Sequence, residues 1–354
     1  NNIPELSYEE FLDFHRTYYH PSNSYIYLYG NMDMEEKLKF IDEKYLSAFD
    51  TLDVDSQIPK QPAFAQVKEF EKEYPVAENE EEEGKAFLSY NMVVGDAMDS
   101  MLGVAFDVLD YALLSAPGAP LKKALLDAGI GKDIYGSYND GFLQPYFSVI
   151  AKDARTEQKE EFVAVIRKVL QDIVKNGIDK KAILAGINYM EFRYREADFG
   201  SYPKGLMYGL DIIGTWLFDE NEPFAQVKLL DIYNRLKEAV NEGYFEGLIQ
   251  KWLLDNTHGS ILTLVPKKGL AAKREKELAD KLESFRSSLS DEQLEEMVRK
   301  TKALEEYQES EEKPEDIACI PMLKRGDIRK EVNGFSNEEL TVDDSLFLYQ
   351  DVCT

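Results

Sequence analysis

Two stretches of the chain follow one plan. Residues 11–30 read FLDFHRTYYHPSNSYIYLYG, and residues 248–266 read LIQKWLLDNTHGSILTLVP. Each is an amphipathic helix with a histidine at its end (His20, His258), then a turn, then an alternating strand. A similarity returning only after so long an interval marks two tandem homologous domains, because solenoid repeats recur every ~20–50 residues. Residues 1–60 therefore read as the closing elements of one copy, and residues 67–266 as a second copy that is nearly whole. Residues 267–354 follow a different pattern.

Working outward, Ser7-x-x-Glu10 is a capping box that starts a helix with Tyr8, Phe11, Leu12, His15 and Tyr19 on one face. A strand is expected at Tyr25–Tyr29, stopping at Gly30-Asn31. Asp33-x-x-Glu36 caps a second helix, and residues 50–66, with Pro59 and Pro62, read as a linker. Further strands are expected at 87–94, 134–138, 146–151 and 260–265. Helices are expected at 97–115, 121–128, 157–175 and 180–197, the first capped by Asp96. Gly129 and Asn176-Gly177 supply helix stops. From 198 to 259 the pattern is mostly helical. Leu278, Leu282, Phe285 and Leu289 form one short stripe and Leu294, Met297, Val298, Thr301 and Leu304 another, with Ser290-x-x-Gln293 between them. This is a charged helical hairpin. The chain then turns extended through Ile320-Pro321-Met322-Leu323. The fold class is α+β: a mostly antiparallel sheet covered by helices, plus a helical hairpin linker.

Acids outnumber bases 67 to 41 in 354 residues, for a net charge of −26. Such a surface repels phosphate backbones and anionic lipid, so neither nucleic acid nor membrane is an expected partner. The longest apolar stretch, Met101 to Ala116, is interrupted by Asp107 and Asp110 and reads as a core helix. Two cysteines, Cys319 and Cys353, make no disulfide framework, which fits a reducing, cytoplasmic location. Cys319 lies in an apolar run and is expected to be buried. The chain opens without Met and close to a helix cap, so it reads as the middle of a longer polypeptide.

The residue patterns hold no catalytic, metal or cofactor site. Helical zinc motifs need two histidines four apart. His15 and His20 are separated by Arg16-Thr17-Tyr18-Tyr19, and their directions diverge by roughly 140° on a helix. His258 closes a helix, where the negative end of the dipole favours it. Gly129-Ile130-Gly131-Lys132 is not a phosphate loop, because Leu126 and Asp133 stand where glycine and Ser/Thr are required. Glu78 to Glu83 holds five glutamates; a solvated loop is the plain reading, and a negative wall that attracts basic peptides is the functional one.

Several motifs carry a resemblance. Tyr18-Tyr19-His20-Pro21-Ser22-Asn23, followed by Gly30-Asn31, resembles the close of the catalytic domain in pitrilysin/insulinase-type zinc metallopeptidases. Ala119-Pro120-Leu121-x-x-Ala124-Leu125 with Gly129-Ile130-Gly131-Lys132-Asp133 and Gln144-Pro145-x-Phe147-Ser148 resembles the second domain of the presequence-protease and falcilysin-like subgroup. So does Glu191-Phe192-x-x-Arg195-Glu196 with Phe199-Gly200-Ser201-Tyr202-Pro203-x-Gly205-Leu206. Ile320-Pro321-x-Leu323 and Asp327-Ile328 resemble that subgroup's inter-half linker. The resemblance implies two halves closing around a peptide substrate, with zinc held upstream of Asn1 by His-x-x-Glu-His. The partners it implies are the remaining domains of the same polypeptide. This chain would be a chamber wall and hinge of a zinc-dependent metalloendopeptidase. The alternative is a structural or regulatory subunit that has lost the zinc motif.

Overall fold

The computed structural model describes residues 3–350 apart from 198, 321, 329, 331–336 and 344. It opens with α1 (Tyr8–Tyr18), capped as expected: Ser7 Oγ accepts from Glu10 N–H, and Glu10 Oε2 accepts from Ser7 N–H. After α2 (Met34–Lys44), irregular backbone leads to β1 (Lys68–Pro75) and β2 (Ala86–Val93). Then come α3 (Ser100–Asp110), which runs on as a π-turn through Tyr111–Ser115, and α4 (Pro120–Asp127). β3 (Asp133–Asn139) and β4 (Tyr146–Ala154) are followed by α5 (Lys159–Asn176), α6 (Lys180–Glu196), α7 (Lys204–Trp216), α8 (Leu230–Ala239) and α9 (Tyr244–Leu248). A second π-turn, Ile249–Leu254, leads to β5 (Gly259–Lys267). The remainder holds α10 (Leu270–Ser288), α11 (Asp291–Glu309), the single turn α12 (Pro314–Ile317), and the antiparallel pair β6 (Asn337–Val342) and β7 (Ser345–Gln350). The chain divides into two compact units, Asn1–Glu275 and Lys276–Thr354.

In the first unit five strands form one sheet in the order β1-β5-β2-β4-β3. Of its pairings only β1–β5 is parallel, so the sheet is mostly antiparallel. Alternation along β2 explains its two faces. Leu88, Tyr90 and Met92 are buried under helices, while Phe87, Ser89, Asn91 and Val93 point the other way and stay half-buried. Each buried side chain of this size contributes about 1.5–3 kcal/mol. Leu102, Phe106 and Leu109 of α3 and Phe162, Ile166 and Leu170 of α5 belong to the same core. The Met101–Ala116 stretch is thus a core helix. The second π-turn frees a carbonyl for that core: the Tyr90 hydroxyl donates to Leu253 O at 2.7 Å, which satisfies a buried phenol.

Four expectations need correction. Tyr25–Tyr29 is extended but pairs with no strand among the described residues. Its alternate rings lie instead on α7, Tyr25 against Trp216 (4.5 Å between centroids) and Tyr29 near Tyr208 (6.1 Å). Gly205 and Gly209 make room: a Cβ at Gly209 would lie 2.9 Å from Tyr27, and one at Gly205 would collide with Tyr29. Asp99, not Asp96, caps α3 by accepting from Leu102 N–H; Asp96 accepts from Met98 in the preceding turn. Cys319 is exposed, because the flanking Ile317 and Ile320 are exposed too. The two linker helices meet at the expected Ser290 capping box. However, Leu278, Leu282 and Phe285, like Met297, Val298 and Leu304, are all about half exposed, so the stripes do not bury one another. Cys353 lies outside the described residues. Strand β1 and the β6–β7 pair were not anticipated.

Residues 50–66 are irregular, as expected of a linker, but they are pinned. Gln144 Oε1 accepts from Gln61 N–H (2.7 Å) and Gln144 Nε2 donates to Gln61 O (3.1 Å). Lys60 pairs with Asp96, and Phe64 meets the His258 ring edge-on at 4.7 Å.

Candidate functional site

The three histidines do not form a metal centre. His20 Nδ1 accepts from Ser22 N–H at 3.1 Å, and His15 stacks on Tyr19 at 4.6 Å. His258 is nine-tenths buried against Phe64, and burial holds its imidazole below the usual histidine range. Among the described residues no group of three or more His, Cys, Asp or Glu side chains is placed to hold a metal ion. The described residues therefore offer no ligand set that fits a zinc ion.

What the first unit does present is a sheet with two contrasting edges. β1 reads KEFEKEYP, and its charges and terminal proline protect an edge from further pairing. β3 reads DIYGSYN; only Asp133 is charged, and that carboxylate is paired with Lys122 at 3.4 Å. Among the described residues β3 pairs with β4 alone, which leaves its other side without a strand partner. Tyr135 and Ser137 point outward and are exposed, while Ile134 is buried beneath. Gly136 lets the strand settle on the first π-turn. A Cβ there would collide with Leu114 and stand 2.6 Å from Asp110 Oδ1. A glycine inside a strand of few charges was the sequence signal for this edge. The strand itself was foreseen; its edge position was not.

The sheet face turned away from the helices continues this surface. Asn91 Oδ1 accepts from Ser89 and Ser148 hydroxyls, both at 2.7 Å, so β2 and β4 share a fixed polar cluster, half-buried at Ser89 and Asn91 and buried at Ser148. Beneath β3 the opposite condition holds. Burial, with Asp140 and Asp110 nearby, pushes the Asp107 carboxyl up to about 7, and burial alone pushes Asp110 up to about 6. Asp110 Oδ1 is buried and has no hydrogen-bond partner among the described residues. Burial, reinforced by Asp107 and Asp140, also raises Tyr138. Two carboxyls raised above the usual range by burial therefore lie beneath the strand.

The glutamate run joins β1 to β2. Glu82 Oε1 accepts from Lys268 N–H at 2.6 Å. Glu81 and Glu83 line a small polar cavity of about 300 Å³ together with Lys132 and Arg155, so cations already face these carboxylates.

Comparison with known proteins accounts for this architecture. The description "Peptidase M16 inactive domain" matches residues 5–190, more than half of the chain, and a region described as associated with subfamily C of the same peptidases matches residues 264–354. The chain belongs to the peptidase M16 inactive-domain family. The M16 chain is similar to Protein HypA of Clostridium perfringens, 44% identical over all of this chain and 36% of that protein. It is also similar to Presequence protease 1, chloroplastic/mitochondrial, of Arabidopsis thaliana, 32% identical over 93% of this chain and 31% of that protein. The chain thus spans about a third of the length of the curated relatives it matches. Its fold is that of the peptidase M16 inactive domain from Pseudomonas fluorescens, with a TM-score of 0.55 at 17% identity over 75% of this chain and 58% of that one. This M16 chain is a non-catalytic portion of a metallopeptidase-type protein.

Proposed function

We propose that this chain is the wall and hinge of a peptide-degrading chamber in a zinc-dependent metalloendopeptidase, and that its direct task is to hold peptide. The observation that carries this reading is the β3 edge: uncharged apart from a paired Asp133, unpartnered on one side, and continuous with a polar sheet face. An extended peptide added to such an edge gains main-chain hydrogen bonds whatever its sequence, which suits a protein that degrades varied peptides. In this reading residues 1–60 close the catalytic domain, residues 67–266 form the second domain, and residues 267–354 are the hinge. The exposed stripes of α10 and α11 support contact with the remaining domains of the same polypeptide. Zinc belongs to that upstream domain. A reducing, cytoplasmic setting fits two cysteines with no disulfide framework.

The test is amide hydrogen exchange on this chain with an unstructured peptide in excess. Exchange over 133–139 slows several-fold while that of β1 is unchanged. Equal exchange with and without peptide overturns the reading. Metal analysis of the whole polypeptide separates the peptidase from a zinc-less subunit: about one zinc per chain is expected, and its absence favours the subunit.

A further inference from the structure

Helix α3 carries two carboxylates toward the underside of β3. Asp107 and Asp110 stand three residues apart, so they share one side of the helix. Ile134, Gly136 and Tyr138 form the inner face of the strand above them. Contact between the two elements is close. A Cβ on Gly136 would stand 2.6 Å from Asp110 Oδ1 and 3.1 Å from the Ser148 carbonyl oxygen. Tyr138 lies on Phe106, with ring centroids 5.7 Å apart, and its hydroxyl would be 3.7 Å from a Cβ on Gly103. The π-turn Tyr111–Ser115 begins directly after Asp110, so the helix changes its winding at this carboxylate.

The groups around the pair are acids and phenols. Asp110 Oδ1 is enclosed and has no hydrogen-bond partner among the described residues. Asp140, just beyond β3, and Asp110 itself act on Asp107. Tyr138 from β3 and Tyr233 from α8 face Asp107, with Asp99 also near Tyr138, and Tyr194 of α6 and Glu191 near Tyr233. Asp211 of α7 feels Asp140. Cations on the packed helices are engaged elsewhere. Lys122 and Lys123 of α4 pair with Asp133 and Asp127, and Arg195 of α6 and Lys237 of α8 pair with Glu191. Lys180 donates to Asn241, Arg193 lies over Tyr189, and Arg235 acts on Tyr244. Ionised, the two carboxylates are therefore like charges in a poorly solvated place; protonated, they are neutral and can donate.

We propose that Asp107 and Asp110 form a proton-operated latch: with both protonated, β3 lies closed on α3, and as the protons are lost the strand loosens over 134–138. An edge strand held by β4 alone can part from the helix without breaking the central strands. Opening lets water reach the carboxyls and returns them to their ordinary range, so it releases protons. Closed, Asp107 titrates at about 7 and Asp110 at about 6. The closed form is therefore favoured in acid, loses ground as pH rises from the ordinary carboxylate range through about 7, and is then constant. The latch stands whether or not β3 holds a peptide.

The experiment is amide hydrogen exchange on the purified chain across this pH range, with rates corrected for the intrinsic effect of pH. Protection over 134–138 falls at least about tenfold between about pH 5 and pH 8. Exchange there is faster than over 88–92 of β2 and nearly independent of low denaturant, which marks a local opening. In the double variant Asp107→Asn, Asp110→Asn the pH dependence disappears, and protection at pH 8 rises toward that of the parent in acid. Each single variant removes part of the dependence, which decides the matter if the double variant does not fold. Infrared difference spectra between the parent and each single variant show a protonated carboxyl in mild acid. The latch is overturned if protection of 134–138 in the parent is flat with pH. It is equally overturned if that protection follows β2 in denaturant, or if the variants keep the parent's full dependence.

Discussion

Two carboxylates in the first unit respond to pH with opposite sign. Asp107 has its folded pKa raised to about 7, so the folded state holds a proton that the unfolded chain releases in the ordinary carboxylate range. Its stability cost is absent at low pH and grows as pH rises from that range through about 7. Asp107→Asn should therefore raise the melting temperature at pH 8 and leave it unchanged near pH 4. The gain should be about 1–3 kcal/mol after allowing for partial exposure. Glu191 is the reverse case. Lys237 first, then Arg195, hold its carboxyl below the usual range; the Arg195 bond is 2.6 Å, and the carboxylate ties α6 to α8. Its contribution is present above the ordinary carboxylate range and is lost as pH falls below it. Glu191→Ala should cost about 1.5–3 kcal/mol at pH 7 and progressively less in acid, measured by denaturant unfolding. The sequence showed Asp107 as a charge interrupting an apolar helix. It did not show that Asp140 and Tyr138 come round to face it, because that proximity arises from the fold.

Elements were legible where their partner is implied by their own period. β2 alternates because one face meets helices, and α5 repeats its apolar positions because one stripe meets the sheet. Legibility failed where the partner departs from the usual one. Tyr25, Tyr27 and Tyr29 alternate as strand residues do, yet they lie across α7 in the space left by Gly205 and Gly209. Gly209→Ala tests that contact. Alanine favours the helix by about 1 kcal/mol, so α7 should persist while residues 25–29 exchange amide hydrogens faster. The reverse failure is β1, whose charges hid it until its parallel pairing with β5 was seen. In the linker both helices form, but nothing in the period of their stripes states whether they meet each other. Leu282 is 56% exposed, so Leu282→Asp should change stability by less than about 0.5 kcal/mol. A larger loss in a thermal melt would mean that the two helices close on each other in solution.

For the molecule as a whole, the absence of paired histidines was legible at once, and so was the family, through motifs spread from Tyr18 to Ile328. The edge position of β3 was not, because the strand order that puts it there joins segments far apart in sequence. Gln144 and Gln61 show the distance involved, since they meet across the end of the linker and the first three strands. With its histidines dispersed in this way, the purified chain should retain no stoichiometric zinc by metal analysis and should cleave no peptide. A tightly held metal would require ligands beyond His15, His20 and His258 in their present positions.

The Gln61–Gln144 contact has a mechanical meaning. Two backbone groups of Gln61 are met by one side-chain amide, so the pair works as a press-stud: a single rotation about the Gln144 side chain undoes both bonds at once, and no ladder need unravel. Lys60 and Asp96, beside it, are partly solvated. Releasing that end of the strip 52–61 leaves Ser56 on Asn23 in its middle and Leu52 N–H on Ser22 Oγ at the far end. A wall hung in this way is fastened by side-chain groups rather than by the rungs of a ladder.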